Sequence, residues 1–303
     1  MTPDPYGENE TSRTLTVDGV PVHFHDVGSG VPVLLFPGWG PQPGMTAWIT
    51  WRDVLGSLAA EFRCIVVDLP NYGRTGPVRD TGPAYRLGSD LAAGLLGQLG
   101  IASAHVVGTS TGGSTAFVFA QDHPELTRSL VVGSSHLPDP TVRNLLAPAP
   151  EEGVRAGIAY EIEQTPDNLR RFLLSMFHDP SHVDAELIEE IERIAREAPD
   201  HLEAVQASTG FAKEPRLGRA VTVPSLIISG REDRVVPLEH TLAFLAHLDD
   251  AEAVILKGTG HLPTIESPER YVSHLLRFLR RVDAQMHTSE ESGLLVGDGG
   301  FEG

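Results

Sequence analysis

The chain has 303 residues, enough for one large domain with a sizeable core. Hydrophobic residues make up 41% and charged residues 21%, which excludes a wholly disordered chain, and no apolar stretch approaches the roughly 20 residues of a membrane-spanning helix. Lys and Arg number 23 against 41 Asp and Glu, and the formal net charge of -18 argues against nucleic acid as a partner, because phosphate binding needs clustered basic groups.

In chain order, residues 1–13 are polar and carry Asp4, Glu8 and Glu10, without the basic segment and apolar stretch of a secretory signal. A flexible N-terminus and a cytoplasmic protein are expected. Segments 14–17 and 20–25 alternate about Asp18-Gly19, a hairpin signal, and Pro21 suits an edge strand. Runs 33–36, 64–67, 105–107, 130–132, 226–228 and 253–256 are short and largely apolar, as in strands covered on both faces. The second of them holds the single cysteine, Cys64, which excludes an internal disulfide and reads as buried. Helical patterns at 47–60, 85–99, 114–123, 238–248 and 268–282 lie between or after most of these runs. That alternation predicts an α/β protein with a doubly wound, mainly parallel sheet.

From 138 to 217 the alternation stops, and only helix-forming stretches such as 167–177 and 184–197 are found. Prolines 138, 140, 148, 150, 215 and 224 punctuate the edges of this interval. It reads as a helical cap inserted into a core made of 14–137 and 218–286. An insertion after a core strand lies near the strands' carboxyl ends, where ligands bind, so the cap should wall a pocket for a small-molecule substrate. Residues 287–303 mix Ser, Glu and Gly with one short apolar run, and a disordered tail is expected. Homo-oligomerisation is left open.

The segment Gly108-Thr109-Ser110-Thr111-Gly112 carries the chemistry. Between a strand and a helix, Gly-x-Ser-x-Gly forces a sharp turn that exposes the serine hydroxyl at the top of a sheet. A hydroxyl is a weak nucleophile until a base takes its proton, so a histidine and an orienting carboxylate must come from elsewhere. Asp233, with Glu232 as competitor, follows the apolar run 226–228, and His261 lies in the glycine-rich loop after 253–256. The backbone N–H of Thr111 and that of Trp39, between Gly38 and Gly40, are the expected oxyanion donors. Gly38, Gly40, Thr109, His136 and Leu262 are candidate substrate contacts. Neither a paired-histidine helix motif nor a cysteine cluster supports a metal, and no complete Gly-x-Gly-x-x-Gly opens a helix, so no cofactor is called for.

The order serine, aspartate, histidine resembles that of α/β hydrolases, as does Asp68-Leu69-Pro70-Asn71-Tyr72-Gly73-Arg74-Thr75. The resemblance spans about residues 14–284 and implies an α/β-hydrolase fold with a cap. Residues 40–52 are similar to the Gly-Pro-Gly-x-x-Ala-Trp-x-x-Trp-Arg segment of meta-cleavage-product hydrolases, which cut a carbon-carbon bond in ring-opened aromatic dienoates. The chain departs from that pattern at Pro37, Thr109 and Leu262, where His, Asn and Trp are usual. The family's cap arginine, which contacts the dienoate carboxylate, falls at Ile191 or, with an offset of two, at Arg193. On these grounds hydrolysis of a small carboxylic ester by Ser110, His261 and Asp233 is the first expectation and carbon-carbon cleavage the alternative. A non-hydrolytic receptor on the same fold is the reading from another class.

Overall fold

The computed structural model describes residues 6–38, 44–83, 85–138, 151–208 and 219–296. A short helix α1 (Glu8–Thr11) leads into the hairpin β1 (Ser12–Val17) and β2 (Val20–Gly28), and Asp18 and Gly19 both take positive φ, 48° and 82°, as a two-residue hairpin turn demands. Then come β3 (Val31–Phe36), α2 (Ala47–Ala59), β4 (Phe62–Val67), α3 (Arg86–Gln98), β5 (Ala104–Thr109), α4 (Thr111–Asp122) and β6 (Thr127–Gly133). Four helices follow: α5 (Glu152–Ile162), α6 (Pro166–Met176), α7 (Ala185–Glu197) and α8 (Pro199–Ala207). The chain closes with β7 (Ser225–Gly230), α9 (Leu238–His247), β8 (Ala251–Leu256), α10 (Pro263–Glu266) and α11 (Pro268–Val296).

The eight strands of the described residues form one sheet in the order β1-β2-β4-β3-β5-β6-β7-β8, with the β1–β2 and β2–β4 pairs antiparallel and the rest parallel. Strand residues alternate between two cores. Leu34, Phe36, Ile65, Val67, Val106, Leu130 and Val132 face one cluster with α3, α4, α6 and α7, whereas Val33, Leu35, Val66, Val107, Val131 and Ile228 face another built on α2 and α11. Each buried Leu, Ile, Val or Phe side chain contributes roughly 1.5–3 kcal/mol. Cys64 belongs to the second cluster, fully buried, and burial pushes its thiol well above its ordinary pKa.

Pro21 is not on the edge. Strand β2 lies between β1 and β4, but its pairing with β4 begins only at Phe24, so Pro21 faces no β4 acceptor and its carbonyl instead accepts from the Gly76 amide. The start of the chain is also more ordered than expected from residue 6 onward. Arg74 pairs with Glu8 at 3.0 Å, Thr11 Oγ1 lies 2.9 Å from His25 Nδ1, and Ser12 Oγ lies 2.8 Å from His23 Nε2. At the other end, α11 continues to Val296 and takes in residues 287–296 of the expected tail, because extending an existing helix is far cheaper than nucleating one.

The helices between β6 and β7 carry their own start signals. Thr165 and Asp184 accept hydrogen bonds from the amides of Asn168 and Leu187 at the beginnings of α6 and α7. One face of α7, with Leu187, Ile191 and Ile194, is buried toward the core cluster. Arg52 of α2 grips both Glu190 oxygens at 3.0 and 2.9 Å.

Candidate active site

Ser110 sits between β5 and α4 with φ 54° and ψ -127°, a conformation that costs an L-residue on the order of 1–3 kcal/mol. The surroundings enforce it. Ser110 donates its amide to Gly133 O of β6 at 2.9 Å, and Gly112 donates to Pro37 O at 3.0 Å. A Cβ on Gly108 would lie 2.1 Å from Gly112 O, and one on Gly112 would lie 2.3 Å from Pro37 O. The glycines at minus two and plus two are therefore steric requirements of the turn.

His261 Nε2 lies 2.8 Å from Ser110 Oγ, and His261 Nδ1 lies 2.9 Å from Asp233 Oδ2 and 3.0 Å from Oδ1. The Asp233 and His261 side chains are 1% and 0% exposed, so the ion pair that forms when the imidazole is protonated is shielded from water. Asp233 Oδ1 also accepts from the amides of Val235 and Val236, at 2.8 and 2.9 Å. Glu232 points elsewhere: its Oε2 accepts from Gly258 and Thr259 amides and braces the loop that carries His261. From the other side Glu266 accepts from Gly260, and the His261 amide donates to Met176 O at the end of α6 at 2.7 Å. Helix α6 is thus bonded directly to the histidine loop.

Thr111 is the first residue of α4, and its amide has no acceptor among the described residues, as expected at a helix start. Its side chain bonds to the buried Tyr72 hydroxyl, whose pKa burial raises. Trp39 and Gly40 lie outside the described residues. Gly38 donates to Thr50 Oγ1 at 3.2 Å, and Leu262, fully buried, packs so close that a Cβ on Gly38 would meet its Cδ2 at 2.8 Å. Leu262 thus fills the space beside the Gly38 loop.

Thr109 lies beside the Gly38 loop, whereas Arg193 lies at the surface. Thr109 is fully buried, and its hydroxyl donates to Gly133 O at 3.3 Å, so it secures β5 to β6. Its methyl group faces the Gly38 loop, where a Cβ built on Gly38 would lie 3.3 Å from Thr109 Cγ2. Arg193 is 49% exposed and pairs with Glu197 one turn along α7 at 2.9 Å, while Ile191 is the residue buried. Two residues rotate a helix by about 200°, so the residue two positions beyond a buried one faces solvent.

His136 follows β6 and is half-buried, its carbonyl accepting from Ser114 Oγ of α4 at 2.7 Å. Burial, and after it the nearby His261 ring, holds its pKa down at about 4. Its ring meets that of His240 of α9 edge to face, centroids 4.6 Å apart. His240, also held at about 4 by burial and then by His136, was missed in the sequence: it is one of 13 histidines and only the fold brings it to the site.

A second Ser–His–Asp string exists at the N-terminal hairpin. Ser12 Oγ, His23 and Asp68 are linked by contacts of 2.8 Å each. Ser12, however, has ordinary extended backbone, φ -61° and ψ 129°, and opens strand β1, so no helix-start amides face its oxygen. Asp68 is fixed by the Ala47 and Arg74 amides; burial would raise its pKa, but hydrogen bonds led by that from His23 outweigh burial and lower it.

Comparison with known proteins agrees with this arrangement. Residues 33–274 match the alpha/beta hydrolase family. A 2-hydroxy-6-oxononadienedioate/2-hydroxy-6-oxononatrienedioate hydrolase of Burkholderia vietnamiensis (strain G4 / LMG 22486) is 33% identical over 284 residues, covering 90% of this chain and 97% of its own. A meta-cleavage product hydrolase from Pseudomonas fluorescens IP01 superposes with a TM-score of 0.78 at 26% identity, over 90% of this chain and 99% of the other. A thermophilic esterase from Thermogutta terrifontis superposes at 0.70, also with 26% identity, over 89% and 98%. With its parallel sheet, its serine turn after β5 and the family match over most of its length, the chain belongs to the alpha/beta hydrolase family and is a hydrolase.

Proposed function

We propose that the protein hydrolyses a carbon-carbon bond in a ring-opened 2-hydroxy-6-oxo-dienoate through an acyl-enzyme on Ser110. The observation that carries this reading is the 33% identity over nearly the whole of a hydrolase of such dienoates, joined to the Ser110–His261–Asp233 hydrogen-bond chain. It replaces ester hydrolysis, the first expectation from sequence, as the leading activity.

In this mechanism His261 Nε2 takes the Ser110 proton as Oγ attacks the 6-oxo carbon, and Asp233 stabilises the imidazolium. The oxyanion is met by the Thr111 amide, and the loss of one such donor costs roughly 3 kcal/mol of transition-state stabilisation. A carbon leaving group needs somewhere for its electrons to go. With the 2-hydroxy group in its keto form, the departing C5 centre is conjugated with the 2-oxo carbonyl, and His261 returns the proton to the leaving fragment. Water, deprotonated by His261, then cleaves the acyl-enzyme. Ester turnover uses the same groups and is the second reading. It is favoured by Arg193, which is exposed and paired with Glu197 and so supplies no cation for a dienoate carboxylate.

Parallel assays with 2-hydroxy-6-oxononadienedioate and p-nitrophenyl esters separate the two. The proposal expects kcat/KM for the dienoate to exceed that for any of the esters by about 100-fold or more, a gap of roughly 2.7 kcal/mol in barrier. Ester turnover above dienoate turnover reverses the order.

A further inference from the structure

His136 has a hydrogen-bonding ring beside the site and no hydrogen-bond partner for it among the described residues. Among the described residues neither ring nitrogen makes a hydrogen bond, although the residue is half-buried and close enough to His261 and Asp233 to feel their charges. It is also held in place. Ser114 Oγ binds its carbonyl one turn along α4 from Ser110, and the His240 ring abuts it. His240 is fixed in turn, because its Nδ1 accepts from the Leu137 amide, which leaves its own proton on Nε2. A pre-positioned neutral imidazole without a protein partner is a donor waiting for an acceptor, since a half-buried polar group left unpaired is costly.

The sheet order says which part of a substrate it meets. Gly38 follows β3 and His136 follows β6, on opposite sides of β5 and Ser110. An acyl carbon on Ser110 turns its oxyanion to the Thr111 amide on the Gly38 side and its leaving group to His261 Nε2. The remaining direction, over β6, belongs to the acyl chain. We propose that His136 is a substrate-positioning residue that donates a hydrogen bond to an oxygen on the acyl chain, so that the enzyme prefers substrates whose acyl half carries a carbonyl or carboxylate oxygen over all-carbon ones. This rests on Ser110 being the nucleophile but not on which bond is cut.

The test uses p-nitrophenyl esters that differ in one group: 4-oxopentanoate and hemisuccinate, each against pentanoate. The wild-type enzyme should favour the oxygen-bearing esters in kcat/KM by about tenfold, the worth of one hydrogen bond to a half-buried donor, with 4-oxopentanoate and hemisuccinate showing whether a neutral or a charged oxygen is preferred. In His136→Ala that ratio should collapse to about one through KM, and His136→Gln, which keeps a donor, should restore part of it. Labelling of Ser110 by a fluorophosphonate in each variant shows that the fold is intact. An unchanged ratio in labelled His136→Ala, or a wild-type enzyme that prefers pentanoate, overturns the proposal. If the ratio behaves as expected while the dienoate is not cleaved, the carbon-carbon reading fails and this one stands; the converse result sinks this one alone.

Discussion

Single residues decide the chemistry because the serine turn is built from steric limits. The Gly-x-Ser-x-Gly segment was legible in the sequence for that reason: Gly108 and Gly112 leave no room for a Cβ, and the strain at Ser110 is held by bonds to Gly133 and Pro37. Gly112→Ala should therefore abolish turnover even if the variant folds, measured as kcat/KM alongside a melting curve; wild-type activity would show that the turn tolerates the side chain. The choice between neighbours Glu232 and Asp233 was harder to read, since it depends on which carboxylate a loop turns inward. Asp233→Asn should lower kcat by about 10³–10⁴-fold by disturbing the imidazole tautomer. Glu232→Gln, which only braces the histidine loop, should cost far less, and equal losses would contradict the assignment.

Among elements, the core strands were legible from their apolar runs, because burial on both faces leaves little else possible. Boundaries and termini were not. Thr111 opens α4 three residues before the helical pattern at 114, and within the described residues the segments expected to be flexible are bonded at Glu8, Thr11 and Ser12 and run as helix to Val296. The helices between β6 and β7 were visible as an interruption in strand alternation, but the direction of their side chains was not, and Arg193 shows why: a two-residue offset on α7 separates the core from solvent. The contribution of α11 is concentrated in Tyr271, Leu275, Phe278, Leu279 and Val282, which pack on the second core cluster. Phe278→Ala should destabilise by about 3–5 kcal/mol in urea unfolding. Truncation after residue 288 should change stability by less than about 1 kcal/mol, because every described member of that cluster precedes it. A truncation as damaging as Phe278→Ala would mean the last turns of α11 are structural.

At the scale of the whole molecule, buried histidines link stability to pH. His25, His136 and His240 are each held near pKa 4, burial being the first cause in all three, against an ordinary value of 6.5. Between those values the unfolded chain binds more protons than the folded one, so stability is complete above pH 6.5 and is lost as pH falls toward 4. The melting temperature should drop by about 5 °C or more from pH 7 to pH 4.5, and less steeply in His240→Gln. An identical slope in that variant would remove His240 from the account. The substrate was the least legible property of all, because it depends on groups such as His136 and His240 that only the fold brings together. The claim on which everything else depends is that Ser110, and not merely a serine beside a histidine, is the nucleophile. Intact-mass analysis after fluorophosphonate treatment tests it most directly: one adduct is predicted, on Ser110, and none in Ser110→Ala. An adduct on Ser12, in the second Ser–His–Asp string, or persistence of labelling in Ser110→Ala, would contradict the account.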